Sequence, residues 1–282
     1  MPDFPLVYVI VLSWNGKNDT LECLASLRQL TYPNARIVVV DNASTDGTVD
    51  AIRLAFPNTE LIVNTSNLRF AGGNNVGISW SLERGAEYVL VLNNDTVVDR
   101  EFLSLLVDTA ESNKQIGIVG PKIYYFDDPK RIWFAGGLIK WWRGRVTHIG
   151  IREEDNGRYD ATTEVDYVTG CCMLIKRKVI ETIGMLDERY YIYGEDVDLC
   201  VRASRSGYKS LCVPSSRVWH KLSASTKGHL SWFKNWNKLK SQLRLMARYA
   251  PWYHWLTIPV AMPVDTMLSA LEVVFPRDTR VG

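Results

Sequence analysis

Four short apolar runs, each ending in small polar residues, restrict this chain more than any other feature. The plainest is Tyr88-Val89-Leu90-Val91-Leu92, which stops abruptly at Asn93-Asn94-Asp95-Thr96. A run apolar at every position, yet too short for a helix of its own, reads as a strand buried on both faces. Residues 7–12 end the same way at Ser13-Trp14-Asn15-Gly16, residues 37–40 at Asp41-Asn42, and residues 61–63 shortly before Asn67. A helical pattern through Leu21, Leu24, Ala25 and Leu27 separates the first two runs, and residues 116–119 make a fifth. Strands alternating with helices at this pace predict an α/β fold: a mostly parallel, Rossmann-like sheet with helices on both faces. Ligands of such sheets bind beyond the carboxyl ends of the strands, so these polar ends line one rim.

That rim suits a polar, hydrogen-bonding ligand such as a nucleotide. Asp95 offers a lone carboxylate to a divalent cation, while the bland alternative has Asn93-Asn94-Asp95 turning the chain and capping a helix near Asp99. Gly72-Gly73, placed just before a helix, would let backbone N–H groups approach a phosphate. A Gly-x-Gly-x-x-Gly pattern is absent after the first strand, which argues against a redox dinucleotide.

Beyond Gly120 the chain turns to aromatics and glycine, predicting hairpins and long loops through Asp160. Trp133, Trp141 and Trp142 either stack on a sugar ring, sit among lipid headgroups, or cover the edge of the core. Residues 165–175 read as one apolar strand re-entering the core. The densest acidic stretch, residues 187–199, runs into a helix stopped by Gly207, with Glu195, Asp196 and Asp198 in its first turn. Acidic residues are ordinary there. Tyr190, Tyr191, Ile192 and Tyr193 just before them would wall a carboxylate and lift its pKa, as a general base requires. Asp196 and Asp198 cannot face the same way on a helix, so only one can be that base. His220, expected after a short apolar strand, would join Asp95 in holding Mg²⁺ or Mn²⁺.

Assembled in order, Ser13-Trp14-Asn15, Asp41 to Thr48, Phe70 to Asn75, Asn93-Asn94-Asp95, Gly170 to Leu174, Gly194 to Leu199 and Trp219-His220 are similar to the motifs of inverting family 2 glycosyltransferases of the GT-A fold. The rhamnosyltransferase-like branch is nearest. The resemblance covers roughly residues 5 to 250 and implies a GT-A sheet, a smaller acceptor-side region and C-terminal helices. It implies that Ser13, Asn15 and Asp41 hold base and ribose, and that Asn94 touches ribose or phosphate. Asn42 and Asn75 would complete the donor contacts. Asp95 and His220 would bind the metal, Asp196 would be the base, and Glu195 would orient acceptor or donor. Trp133 and Gly170 would meet the acceptor. Two positions depart from the pattern: the usual Asp-x-Asp is Asn93-Asn94-Asp95, and Arg69 stands where glycine is common, either reaching the diphosphate or solvated.

The implied partners are a dTDP- or UDP-linked sugar and a glycan or lipid-diphosphate-linked acceptor. The implied layout is a catalytic domain over 1–225, its donor half about 1–120 and its acceptor half about 121–225, then a basic helical segment over 226–282. Competing readings are a sugar nucleotidyltransferase, which normally opens on a Gly-rich, Lys/Arg-bearing loop, and a non-catalytic nucleotide-sugar binding module.

Charge is segregated: between Leu199 and Val264 there is no Asp or Glu, while Lys and Arg recur throughout. Such a segment calls for an anionic partner. Nucleic acid would leave the polar rim unexplained, so phosphate-bearing substrate or an anionic membrane is preferred. Residues 232–250 have the spacing of a basic amphipathic helix, its apolar face either packed on the domain or laid on a membrane. No run reaches bilayer-spanning length; residues 255–264 come nearest, broken by two prolines. Five cysteines in no paired pattern, with Cys171-Cys172 adjacent in an apolar run, suit buried thiols and a cytoplasmic setting, at the inner face of the membrane.

Overall fold

The apolar runs become strands for the reason their composition implies. Val7, Val9 and Ile10 of β1 (Val7–Ser13) and Val89, Leu90 and Leu92 of β4 (Tyr88–Asn93) have no exposed surface. Strands this apolar must be covered on both faces, and intervening helices do it. In the computed structural model, which describes residues 4–221 and 232–265, β1 leads through α1 (Lys17–Leu27) to β2 (Ala35–Asp41). The chain continues through α2 (Thr48–Ala55), β3 (Glu60–Val63) and α3 (Arg69–Glu83) to β4. These strands run parallel in the order β3-β2-β1-β4.

Next come β5 (Thr96–Val98), α4 (Phe102–Glu111), β6 (Ile116–Tyr125), β7 (Ile132–Phe134), β8 (Gly137–Lys140) and β9 (Arg145–His148). β10 (Thr163–Val165), β11 (Cys172–Lys176), α5 (Arg177–Ile183), α6 (Glu195–Arg205), β12 (Lys209–His220) and α7 (Trp232–Tyr249) complete the described elements with labels. Among the described residues the sheet continues from β4 as β11-β6-β12-β10. β11 is antiparallel to both β4 and β6, so β6 and β12 keep the direction of β4. The mixed α/β sheet flanked by helices matches the expected fold class, and β8 and β9 form one of the expected hairpins.

Four local expectations need correction. Residues 165–175 are not one strand: Val165 pairs with Ser210 of β12, whereas Cys172 pairs with Leu92 of β4, several strands away. Residues 166–171 make the crossing. The turn at Asn94-Asp95 leads not into a helix near Asp99 but into β5, which pairs with the end of β12, and α4 begins only at Phe102. His220 ends a strand of 12 residues with an irregularity between Val213 and Arg217, rather than a short one.

Finally, Gly72 and Gly73 lie inside α3, not ahead of it. A Cβ on Gly73 would come within 2.5 Å of Leu12 Cδ1 and 2.8 Å of Asn42 Nδ2. The glycine therefore lets the helix approach the sheet rather than cradling a phosphate. Overpacking of this kind costs about 1–3 kcal/mol. Gly73→Ala should lower the urea-unfolding free energy by about that much; unchanged stability would mean the glycine serves a ligand instead.

Candidate active site

Two strand pairings bring the acidic and imidazole groups together. β5 pairs antiparallel with β12, setting His220 opposite Thr96, and Lys221 N–H donates to the carbonyl of Asp95 at 2.9 Å. His220 Nε2 consequently meets Asp95 Oδ1 at 3.0 Å, and since a carboxylate only accepts, the imidazole donates. Nδ1 of His220 is buried without a hydrogen-bond partner among the described residues, and the Cys171 sulfur lies against the ring. Burial opposes charge on this imidazole, yet Cys171 and Asp95 outweigh it and carry the His220 pKa upward. Trp133 stands edge-on to His220 at 4.6 Å and to His148 at 4.8 Å between ring centroids. Burial drives His148 down to about 4, so that ring is neutral.

The second pairing is β11 with β4. Because β11 runs backwards, its amino end reaches the rim where its parallel neighbours end, and Asn93 N–H donates to the Cys171 carbonyl at 2.9 Å. The next residue back, Gly170, donates its N–H to Asp196 Oδ2 at 2.9 Å. A Cβ on Gly170 would come within 2.8 Å of the tip of the Phe70 ring, so a larger residue at this corner would have to displace that ring. One turn at residues 170–171 thus touches Asp196 on one side and the Asp95–His220 pair on the other.

Asp196 and Glu195 open α6, entered through Tyr193 and Gly194, both with positive φ. Burial raises the Asp196 pKa, while the N–H groups of Gly170 and Val197 pull it back toward the charged form. Burial first, and then the charge of Asp196, push Glu195 up to about 8, and its Oε2 has no hydrogen-bond partner among the described residues. Asp198, in the same turn, is fully buried but neutralised: Arg202 Nε at 2.7 Å, Arg248 at 2.9 Å and the Tyr249 hydroxyl at 2.6 Å all donate to it. It is the structural carboxylate of the cluster. The aromatic wall also differs from expectation. Tyr190 is buried toward Asp198, and Tyr191 and Tyr193 are exposed. Phe70 at Gly170, and Tyr167, whose pKa burial and then the Asp196 charge raise, stand by the carboxylate instead.

The expected donor residues divide. Asn15 lies exposed with positive φ, its Oδ1 accepting from Thr45 N–H at 2.8 Å. Asn94 donates to Thr20 Oγ1 at 2.9 Å, and the same hydroxyl meets Ser13 Oγ at 2.9 Å. Ser13 and Asp41 are fully buried, Asp41 accepting from Ser44 N–H at 2.8 Å and from its hydroxyl. Asn42 is consumed by Asn64, Asn67 and the Arg69 carbonyl, which tie the β2 and β3 ends to α3. Asn75 is likewise taken: its amide clasps Leu186 and Glu188 at 2.9 Å each, holding the loop that leads to α6. Both amides thus hold neighbouring loops and help to position the rim. Arg69 has positive φ and lies over Tyr191, 3.6 Å from ring centroid, beside a cavity of about 170 Å³ that Glu188 also lines. Thr20 escaped the sequence reading. Its only signal was its place four residues after Gly16, whose carbonyl it also bonds.

Once Nε2 of His220 gives up the proton it shares with Asp95, the two side chains fit a divalent cation, which would take that proton's place between them. Adjacent positions of an octahedron with bonds of about 2.0–2.1 Å lie about 3 Å apart, and Oδ1 and Nε2 are 3.0 Å apart. Among the described residues no cluster of three or more His, Cys, Asp or Glu side chains is poised for a metal. The rest of a shell would come from ligand oxygens and water.

Residues 8–184 match the model of the family described as "Glycosyl transferase family 2". The chain is 29% identical over 240 residues to the N-acetylglucosaminyl-diphospho-decaprenol L-rhamnosyltransferase of Mycobacterium tuberculosis, covering 77% of this chain and 76% of that protein. To the rhamnosyltransferase WbbL of Escherichia coli it is 23% identical over 264 residues, 86% of this chain and 93% of the relative. The fold is that of the mannosyltransferase PcManGT from Pyrobaculum calidifontis, solved with GDP-Man and Mn²⁺: TM-score 0.64, 20% identity, 97% of this chain and 76% of that one.

Glu195 yields a signed expectation. A carboxyl whose folded pKa is raised favours the fold while protonated, so stability is lost as pH climbs from about 4.5 to about 8. Glu195→Gln removes that loss. Its melting temperature relative to the native protein should therefore rise from pH 5 to about pH 8 and level off above it in thermal scans; a difference constant with pH would contradict the assignment.

Proposed function

The chain belongs to glycosyl transferase family 2, and from that premise we propose that it transfers a sugar with inversion, using Asp196 as general base. The observation that carries this reading is the Gly170-Cys171 corner, which bonds Asp196 through Gly170 and touches His220 through Cys171. On this reading base and metal pair, joined through that corner, serve one reaction space. Asp196 accepts the proton of an acceptor hydroxyl as that oxygen attacks the anomeric carbon opposite the leaving nucleoside diphosphate. Its burial raises its proton affinity, and the Gly170 N–H fixes the direction in which its carboxylate points. Asp95 and His220 would hold a Mg²⁺ or Mn²⁺ ion, which neutralises charge growing on a leaving diphosphate when bound. Trp133 keeps the His220 ring in place rather than serving the acceptor directly.

The donor is proposed to be a dTDP- or UDP-linked rhamnose, on the names of the relatives in Mycobacterium tuberculosis and Escherichia coli. The acceptor is proposed to be a hydroxyl of a lipid-diphosphate-linked saccharide, in cell-surface polysaccharide assembly. Ser13, Asp41 and Asn94 form the floor under base and ribose, with Asn15 above them.

Asp196→Asn should reduce transfer by about 10²–10⁴-fold while nucleoside diphosphate binding, followed by calorimetry, stays near normal; near-native turnover would remove Asp196 from the role. Exhaustive chelation should abolish transfer and weaken nucleoside diphosphate binding, and Mn²⁺ should restore both. Full activity after chelation would refute the roles of Asp95 and His220.

A further inference from the structure

The sequence left the apolar face of α7 open to either domain or membrane, and the structure packs its C-terminal part on the domain. Leu245, Met246 and Tyr249 are buried in the main core, and the Tyr249 hydroxyl reaches Asp198. Trp236 and Leu243 of α7 stay partly exposed, and the more exposed apolar surface comes later. Residues 252–265 form a short 3-10 turn and then a helical stretch with two opposite rows. Ile258 and Met262 point inward, Ile258 meeting the Gly144 position of the β8–β9 turn. Trp252, Leu256, Val260 and Val264, four residues apart, point outward, the first three 79%, 76% and 69% exposed. Tyr253 and Trp255 widen the row, and Trp142, also exposed, joins it because its carbonyl accepts the Thr257 hydroxyl at 2.6 Å.

A soluble surface rarely leaves so many large apolar side chains adjacent. Their setting identifies the occupant. No acidic residue occurs from Leu199 to Val264, and Asp265 is buried under Arg143, Nε at 2.8 Å, with Arg145 at 3.9 Å. Lys140 is exposed at the end of β8, leading into the turn that holds Trp142. Tryptophan and tyrosine beside lysine and arginine, on a stretch without acidic residues up to the paired Asp265, complement an anionic lipid leaflet. A protein partner would have to bring both acid and apolar surface. Among the described residues no helix is long and apolar enough to cross a membrane, so this one lies on the surface.

We infer that the row Trp252-Leu256-Val260-Val264, with Trp142 and Lys140, is an interfacial docking surface for an anionic lipid bilayer. The same hairpin links it to the reaction space: β9 ends at His148, which packs on Trp133, which packs on His220. Docking through the hairpin turn therefore sets the acceptor side of the site beside the lipid. The inference does not depend on which sugar or acceptor is used.

The test is co-sedimentation of the full chain with phosphatidylcholine vesicles, with and without phosphatidylglycerol, at low and high salt. The protein should pellet with anionic vesicles, at least tenfold less with neutral ones, and be partly released by salt. Trp252→Ser combined with Leu256→Ser and Val260→Ser should lose binding at least tenfold, with circular dichroism and transfer to a short soluble acceptor unchanged. Should the triple variant fail to fold, Trp252→Ser alone and Lys140→Glu are expected to weaken binding in its place. Equal binding by these variants would overturn the inference. So would absence of vesicle binding by the native protein, or a native dimer in light scattering that the substitutions convert to monomer, which would assign the row to a second copy.

Discussion

The reversed strand β11 is the constraint on which the rest of the structure depends. In a wholly parallel sheet only the carboxyl ends of strands reach the ligand rim. Lodging one antiparallel strand between β4 and β6 brings an amino end there too. That amino end is Gly170-Cys171, which bonds Asp196 through Gly170 and lies against His220 through Cys171. The Asn93 N–H bond to the Cys171 carbonyl seals the register. A slip by one residue would turn every side chain of β11 to the opposite face, and the corner would lose its hold on both.

Within α6 two carboxylates of one helical turn meet opposite fates. Asp198 is enclosed and compensated by two arginines and a tyrosine hydroxyl, and through Arg248 and Tyr249 it fastens α7 to the domain. Asp196 receives N–H groups but, among the described residues, no cation. A buried carboxylate without a counter-ion keeps a raised proton affinity, and its neighbour Glu195 is raised further by the charge of Asp196. A proton-accepting group thus stands beside a structural one, and the difference lies in which face of the helix each occupies.

Much of this was legible in the chain alone. The doubly buried strands, their polar ends and the acidic helix start followed from apolar runs and their punctuation, because such signals are local. What escaped was set by distant pairings. β5 is three residues long and takes its strand pairing from the distant β12. The break at 166–171 separates two partners that sit strands apart, which no local pattern encodes. Asn42 and Asn75 looked like ligand groups because an amide at a rim looks the same whether its partner is substrate or a neighbouring loop. Gly73 resembled a phosphate loop, yet its neighbour is Leu12 on the next layer. Even the apolar face of α7, plain in its spacing, did not disclose what would cover it.

The claim that carries the functional account is that Asp95 and His220 bind one cation within reach of Asp196. Crystals grown with Mn²⁺ and a nucleoside diphosphate, measured at the manganese absorption edge, would test it most directly. The account predicts one anomalous peak bonded to an Asp95 oxygen and to His220 Nε2, with the Asp196 carboxylate opening on the same cleft. A peak held by other residues, or an Asp196 turned away from the bound diphosphate behind closed packing, would contradict it.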